Sequence, residues 1–363
     1  MKILQIIPNL NSGGAEKFCI QLSNELSKSN EVVLCTLFDI DDSMIFAKEV
    51  HQNVKVVSLN KKLGLDIKIF FKLYQLLKKE KPDVIHTHLS ALFYSLFIVL
   101  FSNVKIIHTI HNLAHKEANR FKINVYRVFF KYFNVTPVSI SKLVLKSTKE
   151  LYGNKFDVMI ENGTTKPYAT NKLNSVKDEI KSYKHTSNTK ILTTIGRIAK
   201  QKNQKLLIET VKILVAQEYD VVLLIIGDDP EKDKSLLKEL KKYEDERIKF
   251  LGLKSNVIDY LTYSDLFCLS SLYEGMPITL LEAMSLGVIP VCTPAGGIVD
   301  VIDVNTGFIA KDFSKESLTE AFKQYLKLEQ NNLEILKNNL KSKFNSKYSI
   351  EITVNQYFEE YIK

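Results

Sequence analysis

The stretch Lys190-Ile191-Leu192-Thr193-Thr194-Ile195-Gly196-Arg197-Ile198-Ala199-Lys200-Gln201-Lys202-Asn203 opens a pattern that the chain has already run once. A short apolar and β-branched run ends in glycine, and a basic turn then leads into helix-forming sequence from Gln204. Strand, glycine turn and helix together begin a doubly wound α/β unit. The same opening stands near Met1, where Lys2–Ile7 reads as a strand and Asn11-Ser12-Gly13-Gly14-Ala15-Glu16 as the turn into a helix over Ala15–Ser27.

Outward from these two openings, strand candidates alternate with helix-length segments. In the first half they are Val32–Leu37, Val54–Leu59, Val84–His86, Lys105–His108, Val135–Val138 and Val158–Ile160, with helices at Ile67–Lys79 and Lys142–Tyr152. In the second they are Val221–Ile226, Ile248–Leu251, Leu266–Leu269, Val288–Val291 and Gly307–Ile309. Apolar strands spaced by helices imply parallel sheets covered on both faces. The polar stretch from Gly163 to Thr189 reads as a boundary with one short helix at Val176–Tyr183. The expectation is an α/β chain of two doubly wound domains, 1–165 and 166–345, with a final helix in 346–363 packing back toward the first. Ligands belong in the cleft at the carboxyl ends of the strands.

At 363 residues, with 45% hydrophobic and 25% charged side chains, the chain is long enough for two cores and ordinary in composition. The longest apolar run, Ala91 to Phe101, is too short to span a bilayer and reads as a buried helix. Residues 1–9 lack a signal peptide's apolar run and cleavage site, which points to the cytoplasm. Cys19, Cys35, Cys268 and Cys292 show no C-x-x-C spacing and read as buried thiols. Residues 1–165 hold 22 Lys and Arg against 14 Asp and Glu, whereas the remainder is nearly balanced at 28 against 27. That asymmetry suggests an anionic surface as a partner of the first half, either nucleic acid or acidic lipid.

The richest chemical signal is Tyr273-Glu274-Gly275-Met276-Pro277-Ile278-Thr279-Leu280-Leu281-Glu282. Gly275 permits close approach to backbone, and Pro277 suits a first helical turn. The N–H groups from Ile278 to Leu280 then make a helix-start anion site fit for phosphate. Glu274 before it and Glu282 within the helix could hold hydroxyls at the two ends of a sugar nucleotide; solvated surface carboxylates are the plainer alternative. Arg197 and Lys202, flanking the turn after Gly196, could neutralise a diphosphate or stand solvated. The Gly13-Gly14 turn fits neither G-x-G-x-x-G nor a P-loop, so it is an anion site or a simple tight turn.

These parts, in this order, resemble the retaining glycosyltransferases of family 4, which have the GT-B fold of two facing Rossmann-like domains with an interdomain cleft. The resemblance rests on Gly13-Gly14-Ala15-Glu16, His111 in Thr109-Ile110-His111-Asn112, Glu161-Asn162-Gly163, and Gly196-Arg197 with Lys202. It continues through Gly227-Asp228-Asp229-Pro230, Phe250-Leu251-Gly252, the carboxylate pair and Pro294-Ala295-Gly296-Gly297. It implies an acceptor-binding first domain and a nucleotide-sugar-binding second one. Gly14 would approach the donor's distal phosphate, and Arg197 and Lys202 would stabilise the departing diphosphate. Glu274, with the backbone around Gly275, Met276, Ile278, Thr279 and Leu280, would hold the donor sugar. Glu282 would bind the ribose, Leu253 would lie near the base, and His111 would approach the transferred sugar. No metal and no cofactor is implied; the donor is a nucleotide sugar, UDP-linked in many relatives, and the acceptor a glycan, often lipid-linked, in capsule, lipopolysaccharide or exopolysaccharide assembly. Two departures stand out. Asp229 adds a carboxylate where the family has glycine, and Met276 replaces a common phenylalanine or leucine.

His86-Thr87-His88 and His108 to His111 could suggest a metal, yet no carboxylate or cysteine follows closely to complete a tetrahedral set. Asn119 to Phe133 interleaves Arg120, Arg127 and Lys131 with aromatics and reads either as a helix on an anionic membrane or as a core helix. With no nucleic-acid-binding module in the chain, acidic lipid is the preferred partner, placing the protein peripherally on the inner face of the membrane. The alternative function is a catalytically silent sugar-nucleotide-binding subunit of a membrane assembly. A phosphorylase using pyridoxal phosphate would need a Schiff-base lysine in a phosphate cradle, and no lysine has that context.

Overall fold

In the computed structural model, the described residues are 1–11, 13–40, 44–231 and 233–363. The chain divides into two compact units: Met1–Thr164 with Tyr348–Lys363, and Thr165–Lys347. Unit 1 carries strands β1 (Lys2–Ile7), β2 (Glu31–Thr36), β3 (Val54–Ser58), β4 (Val84–His88), β5 (Lys105–Ile110) and β6 (Val135–Ser139). Its helices are α1 (Gly14–Leu26), α2 (Lys68–Glu80), α3 (Ala91–Tyr94), α4 (Leu96–Phe101), α5 (Ala114–Glu117), α6 (Arg120–Tyr132) and α7 (Lys142–Tyr152).

Unit 2 carries β7 (Lys190–Ile195), β8 (Val221–Ile226), β9 (Ile248–Gly252), β10 (Leu266–Leu269), β11 (Ile289–Cys292) and β12 (Phe308–Ile309). Its helices are α8 (Leu173–Tyr183), α9 (Gln204–Ala216), α10 (Ser235–Leu240), α11 (Val257–Thr262), α12 (Ile278–Leu286), α13 (Ile298–Val301), α14 (Lys315–Leu326) and α15 (Gln330–Lys343). The last helix, α16 (Ile350–Ile362), belongs to unit 1, where it packs beside α1.

Each sheet has six parallel strands, ordered β3-β2-β1-β4-β5-β6 and β12-β11-β10-β7-β8-β9. Numbered within its own unit, each is the doubly wound order 3-2-1-4-5-6 of a Rossmann-like domain. Strands buried on both faces must be apolar throughout, and Val221–Ile226 is buried at every position. The order reverses between β1 and β4 in unit 1, and between β7 and β10 in unit 2. At those switch points the crossover helices leave on opposite faces and open a crevice.

Two expectations about elements fail. Val158–Ile160 makes only an isolated bridge from Met159 to Ser139 at the sheet edge, because the chain turns away at Glu161-Asn162-Gly163. A Cβ on Gly163 would lie 2.6 Å from the Ser349 carbonyl oxygen, so this glycine is required where the chain passes the start of α16. Ala91–Phe101 is two short helices broken at Ser95, whose hydroxyl bonds back to the Ala91 carbonyl at 3.1 Å. Its end is exposed, with Phe101 at 62%. All four cysteines are buried free thiols, and burial pushes their ionisation upward. No helix of the described residues is long and apolar enough to cross a membrane.

Candidate active site

The switch point of unit 2 gathers the charged residues. β7 ends at Ile195, and Gly196 follows with φ of 155°, a conformation in which Lys202 Cε lies within 3.4 Å of where a Cβ would stand. Gly227 after β8 is tighter still, since a Cβ there would meet the Gly196 carbonyl oxygen at 1.9 Å. These two glycines let adjacent strand ends approach as backbones. The turn is then held by Gln204, whose amide donates to the Arg197 carbonyl at 2.8 Å. Arg197 itself extends into solvent.

From the next strand, the loop Ser270–Pro277 comes up beside this turn. Leu272 N–H donates to Gln201 O at 2.8 Å, Gln201 Nε2 donates to Tyr273 O at 2.8 Å, and Ser270 Oγ donates to Lys202 O at 3.0 Å. The result is an ion pair between Lys202 Nζ and Glu274 Oε1 at 2.6 Å, with the Ser271 hydroxyl donating to the same oxygen at 2.6 Å. Glu274 is 6% exposed. A lysine ammonium has three N–H donors, so the bond to Glu274 leaves two for a phosphate. A buried carboxylate without this partner would carry a desolvation cost, and removing one member of such a pair costs about 3–5 kcal/mol. Behind Glu274, Gly297 N–H donates to the Glu274 carbonyl at 3.1 Å. A Cβ on Gly296, at φ of 56°, would lie 2.0 Å from that same oxygen.

The helix start differs from the expectation in detail. Pro277 is the N-cap rather than the first helical residue, and the Leu280 N–H donates to the Pro277 carbonyl at 3.1 Å. Among the described residues, no acceptor takes the N–H of Ile278 or Thr279, so an anion held at this helix start would be held by these two. Met276, Ile278 and Leu280 are buried, Thr279 is half-exposed, and Glu282 is buried in the body of α12. Leu253, after β9, is 49% exposed.

Asp229, the added carboxylate, is engaged within unit 2. It is 4% exposed, and its carboxylate accepts the backbone N–H of Glu231 at 3.0 Å and of Leu237 at 3.2 Å. Leu237 lies in the first turn of α10, whose N-cap position is occupied by Lys234, a residue that makes no side-chain bond to the helix start. Asp229 therefore acts as the missing cap from outside the helix.

The switch point of unit 1 is built largely from neutral groups. Gly13 is the N-cap of α1 and Gly14 its first residue; the Ser12 of this motif lies outside the described residues. A Cβ on Gly13 would meet Glu16 Oε2 at 2.2 Å, so the glycine yields space to a carboxylate folded over the helix start. His88 ends β4 and His111 follows β5, and their rings meet at 2.9 Å, Nδ1 to Nε2. Phe18 of α1 stands edge-on to His111 at 5.8 Å between centroids. Gln5, His86, Thr109, Tyr357 and Tyr361 complete a buried network that the sequence reading missed. Gln5 was open to suspicion as the one polar residue inside the apolar strand Ile3–Ile7. Burial keeps these histidines neutral, pushing His108 and His111 down to about 3 and His86 and His88 well below the usual value.

Two Rossmann-like units, one of them with a lysine–glutamate pair just before a helix start, define a class of α/β protein whose ligands lie at the carboxyl ends of its strands. A family model described as "Glycosyltransferase Family 4" matches residues 12–160, and one described as "Glycosyl transferases group 1" matches residues 175–343. The chain belongs to the glycosyltransferases of family 4, with the GT-B fold.

Among its relatives is the Escherichia coli UDP-Gal:alpha-D-GlcNAc-diphosphoundecaprenol alpha-1,3-galactosyltransferase. It is 28% identical over 271 residues, covering 68% of this chain and 66% of that protein. The capsular polysaccharide biosynthesis glycosyltransferase CapH of Staphylococcus aureus is 25% identical over 354 residues, covering 90% of each. The crystal structure of Anabaena HepE with UDP and glucose superposes with a TM-score of 0.83 at 18% identity, covering 100% of this chain and 99% of that one.

Proposed function

We propose that this chain is a retaining glycosyltransferase, transferring a hexosyl or N-acetylhexosaminyl group from a UDP-linked donor to a hydroxyl of a lipid-linked glycan in bacterial surface-polysaccharide synthesis. The observation that carries the reading is the Lys202–Glu274 pair at 2.6 Å beside the free N–H groups of Ile278 and Thr279. In this reading Lys202 and Arg197 hold the diphosphate, Glu274 holds hydroxyls of the transferred sugar, and Glu282 holds the ribose. Leu253 faces the base, Gly14 takes the distal phosphate and His111 the sugar. The relatives act on diphosphoundecaprenol-linked glycans or in capsule synthesis by their names, and HepE holds UDP. These support the donor and acceptor classes.

The bond from C1 to the diphosphate oxygen breaks and the acceptor oxygen bonds C1 on the same face. The acceptor's proton passes to the departing diphosphate, so configuration is retained without a side-chain nucleophile. Charge on the leaving group is met by Arg197, Lys202 and the helix start, the form of stabilisation that is usually largest. No metal is needed in this scheme, and activity should survive chelation.

The acceptor's lipid calls for a membrane surface, and unit 1 offers one wider than the single helix first suspected. Tyr126, Phe129 and Phe130 of α6 are core, whereas Phe121, Val128 and Tyr132 are exposed. They adjoin an outer layer in which α2 packs on α4 and α3 on α6, with Phe71 against Phe97 at 4.8 Å and Phe93 against Phe121 at 6.1 Å. Leu63, Leu65, Ile67 and Phe101 are also exposed there. Residues 61–79, 91–101 and 119–133 hold ten Lys or Arg and one acid, Asp66. Exposed apolar side chains among cations suit an anionic bilayer, with about 1 kcal/mol contributed by each cation near the surface.

A panel of UDP-, GDP- and ADP-sugars, read for binding, hydrolysis and the anomeric configuration of product, tests the reaction. Binding without turnover on any acceptor would favour the silent subunit, and an inverted product would overturn the mechanism. For the membrane, wild-type protein should sediment with phosphatidylglycerol vesicles at low salt and leave them as salt screens the charge. Protein that stays in the supernatant at low salt would remove the membrane role.

A further inference from the structure

We infer that Gln5 and His88 are positioning residues that hold His111 in one tautomer, Nε2 protonated and Nδ1 bare. The ring then accepts a hydrogen bond from a hydroxyl and offers no proton to a phosphate. The functional meaning rests on the glycosyl-transfer reading above, but the tautomer itself does not.

The chain of bonds begins in the middle of β1. Gln5 is fully buried, and its amide nitrogen donates to the Tyr361 hydroxyl of α16 at 3.3 Å. That contact turns the amide oxygen toward His88 Nε2, at 2.9 Å. An amide oxygen only accepts, so His88 Nε2 carries a proton. Burial keeps His88 neutral, and a neutral imidazole has a single N–H, so His88 Nδ1 is bare. Two bare nitrogens 2.9 Å apart would repel, so His111 Nε2 must be the donor across that contact. Burial keeps His111 neutral too, and its Nδ1 is left as an acceptor. Phe18 stands edge-on to both rings, at 6.3 and 5.8 Å, and restricts their rotation.

The polarity of the whole wire depends on one amide. Reversing Gln5 would reverse every donor, ending with a proton on His111 Nδ1. The observed sense has a consequence for selection within a nucleotide sugar. A bare nitrogen attracts a sugar hydroxyl and repels a phosphate oxygen, so His111 separates the two ends of the bond that breaks. Second-shell partners of this kind fix the tautomer and direction of a histidine and lie outside the reacting atoms.

The test is the imidazole nitrogen spectrum of the full chain labelled with nitrogen-15, since protonated and bare ring nitrogens resonate far apart. In the wild type, both His88 and His111 should show protonated Nε2 and bare Nδ1. Gln5→Met should mix the His111 tautomers and lower turnover roughly tenfold, with nucleoside diphosphate affinity unchanged. His88→Leu should do the same, whereas His88→Asn, whose amide oxygen stands near the place of Nδ1, should restore the protonated Nε2 and recover turnover. A proton on His111 Nδ1 in the wild type overturns the inference. So does an unmixed His111 tautomer in both Gln5→Met and His88→Leu. If no donor sugar is transferred by any form, the spectra still decide the tautomer, and the failure belongs to the functional reading alone.

Discussion

The two units share one strand order and place opposite chemistry at the point where that order reverses. In unit 2 the crevice residues are charged and paired, with Lys202 and Glu274 at 2.6 Å and Arg197 in solvent nearby. In unit 1, apart from Glu16 over the start of α1, they are neutral rings and amides, tied into a network that runs from Gln5 through His88 to His111. The topology thus selects where a ligand can sit and says nothing about its charge. On the proposed reading, the charged crevice suits a diphosphate, which needs compensating cations, and the neutral one suits hydroxyls, which need acceptors that do not ionise.

The strongest way to break this comparison is to remove the cations. Arg197→Ala and Lys202→Ala should each lower turnover by on the order of a hundredfold or more, since charge developing on the leaving group loses a partner. Near-normal turnover in both variants would show that unit 2 does not hold the diphosphate. Next in size is the division between carboxylates. Glu282→Ala should weaken free nucleoside diphosphate by roughly tenfold, because a ribose bond persists from ground to transition state. Glu274→Gln should lower transfer more than it weakens that diphosphate. Calorimetric titration of each variant with diphosphate and with whole donor separates the two, and unchanged diphosphate affinity in Glu282→Ala would remove the ribose role.

Much of this arrangement was legible before any coordinates, for a physical reason. Parallel strands buried on both faces read as unbroken apolar runs, so Lys190–Ile195 and Val221–Ile226 stand in the structure with the bounds that their sequence suggests. Apolarity alone did not reveal that Ser95 breaks a helix, or that Met159 lies at an edge too short to be a strand. Glycine turns and their neighbouring charges are local in sequence and could be read together. Lys202 and Glu274 are 72 residues apart, and Gln5 and Tyr361 are 356 apart. Nothing local encodes such pairings, which only the strand order brings about. The cap that Asp229 supplies was hidden for a similar reason, since its carboxylate takes the backbone N–H of Leu237, eight residues further on.

Acid and base sharpen the contrast further. The histidines of unit 1 have folded values below their unfolded one, near 6.5, so the stability they contribute is present above that pH and lost as pH falls toward about 3. Glu117 behaves in the other sense. Its carboxyl, buried beside the His111-Asn112 turn and accepting the Asn112 N–H at 3.2 Å, is pushed up to about 8 from 4.5. Its contribution is present below 4.5 and lost as pH rises through 8. Thermal melts of Glu117→Gln should therefore flatten the decline between pH 6.5 and 8 that the wild type shows. An identical decline in both proteins would contradict the assignment. The smallest effect expected is at Asp229, where replacement by alanine should lower stability by about 1 kcal/mol through loss of a helix cap. Donor affinity should stay the same, as direct titration would show.

Tyr357 and Tyr361 reach the heart of unit 1 from the last helix of the chain. A ribosome that has finished Thr164 has therefore not finished the first unit. At roughly 10 residues per second, about twenty seconds of synthesis separate that point from the arrival of α16. Throughout that interval the nascent unit lacks the hydroxyls that bond His86, Thr109 and Gln5, while unit 2 has every residue it needs before the chain ends. A stop codon just ahead of Tyr357 would leave the later-made unit whole and damage the one made first.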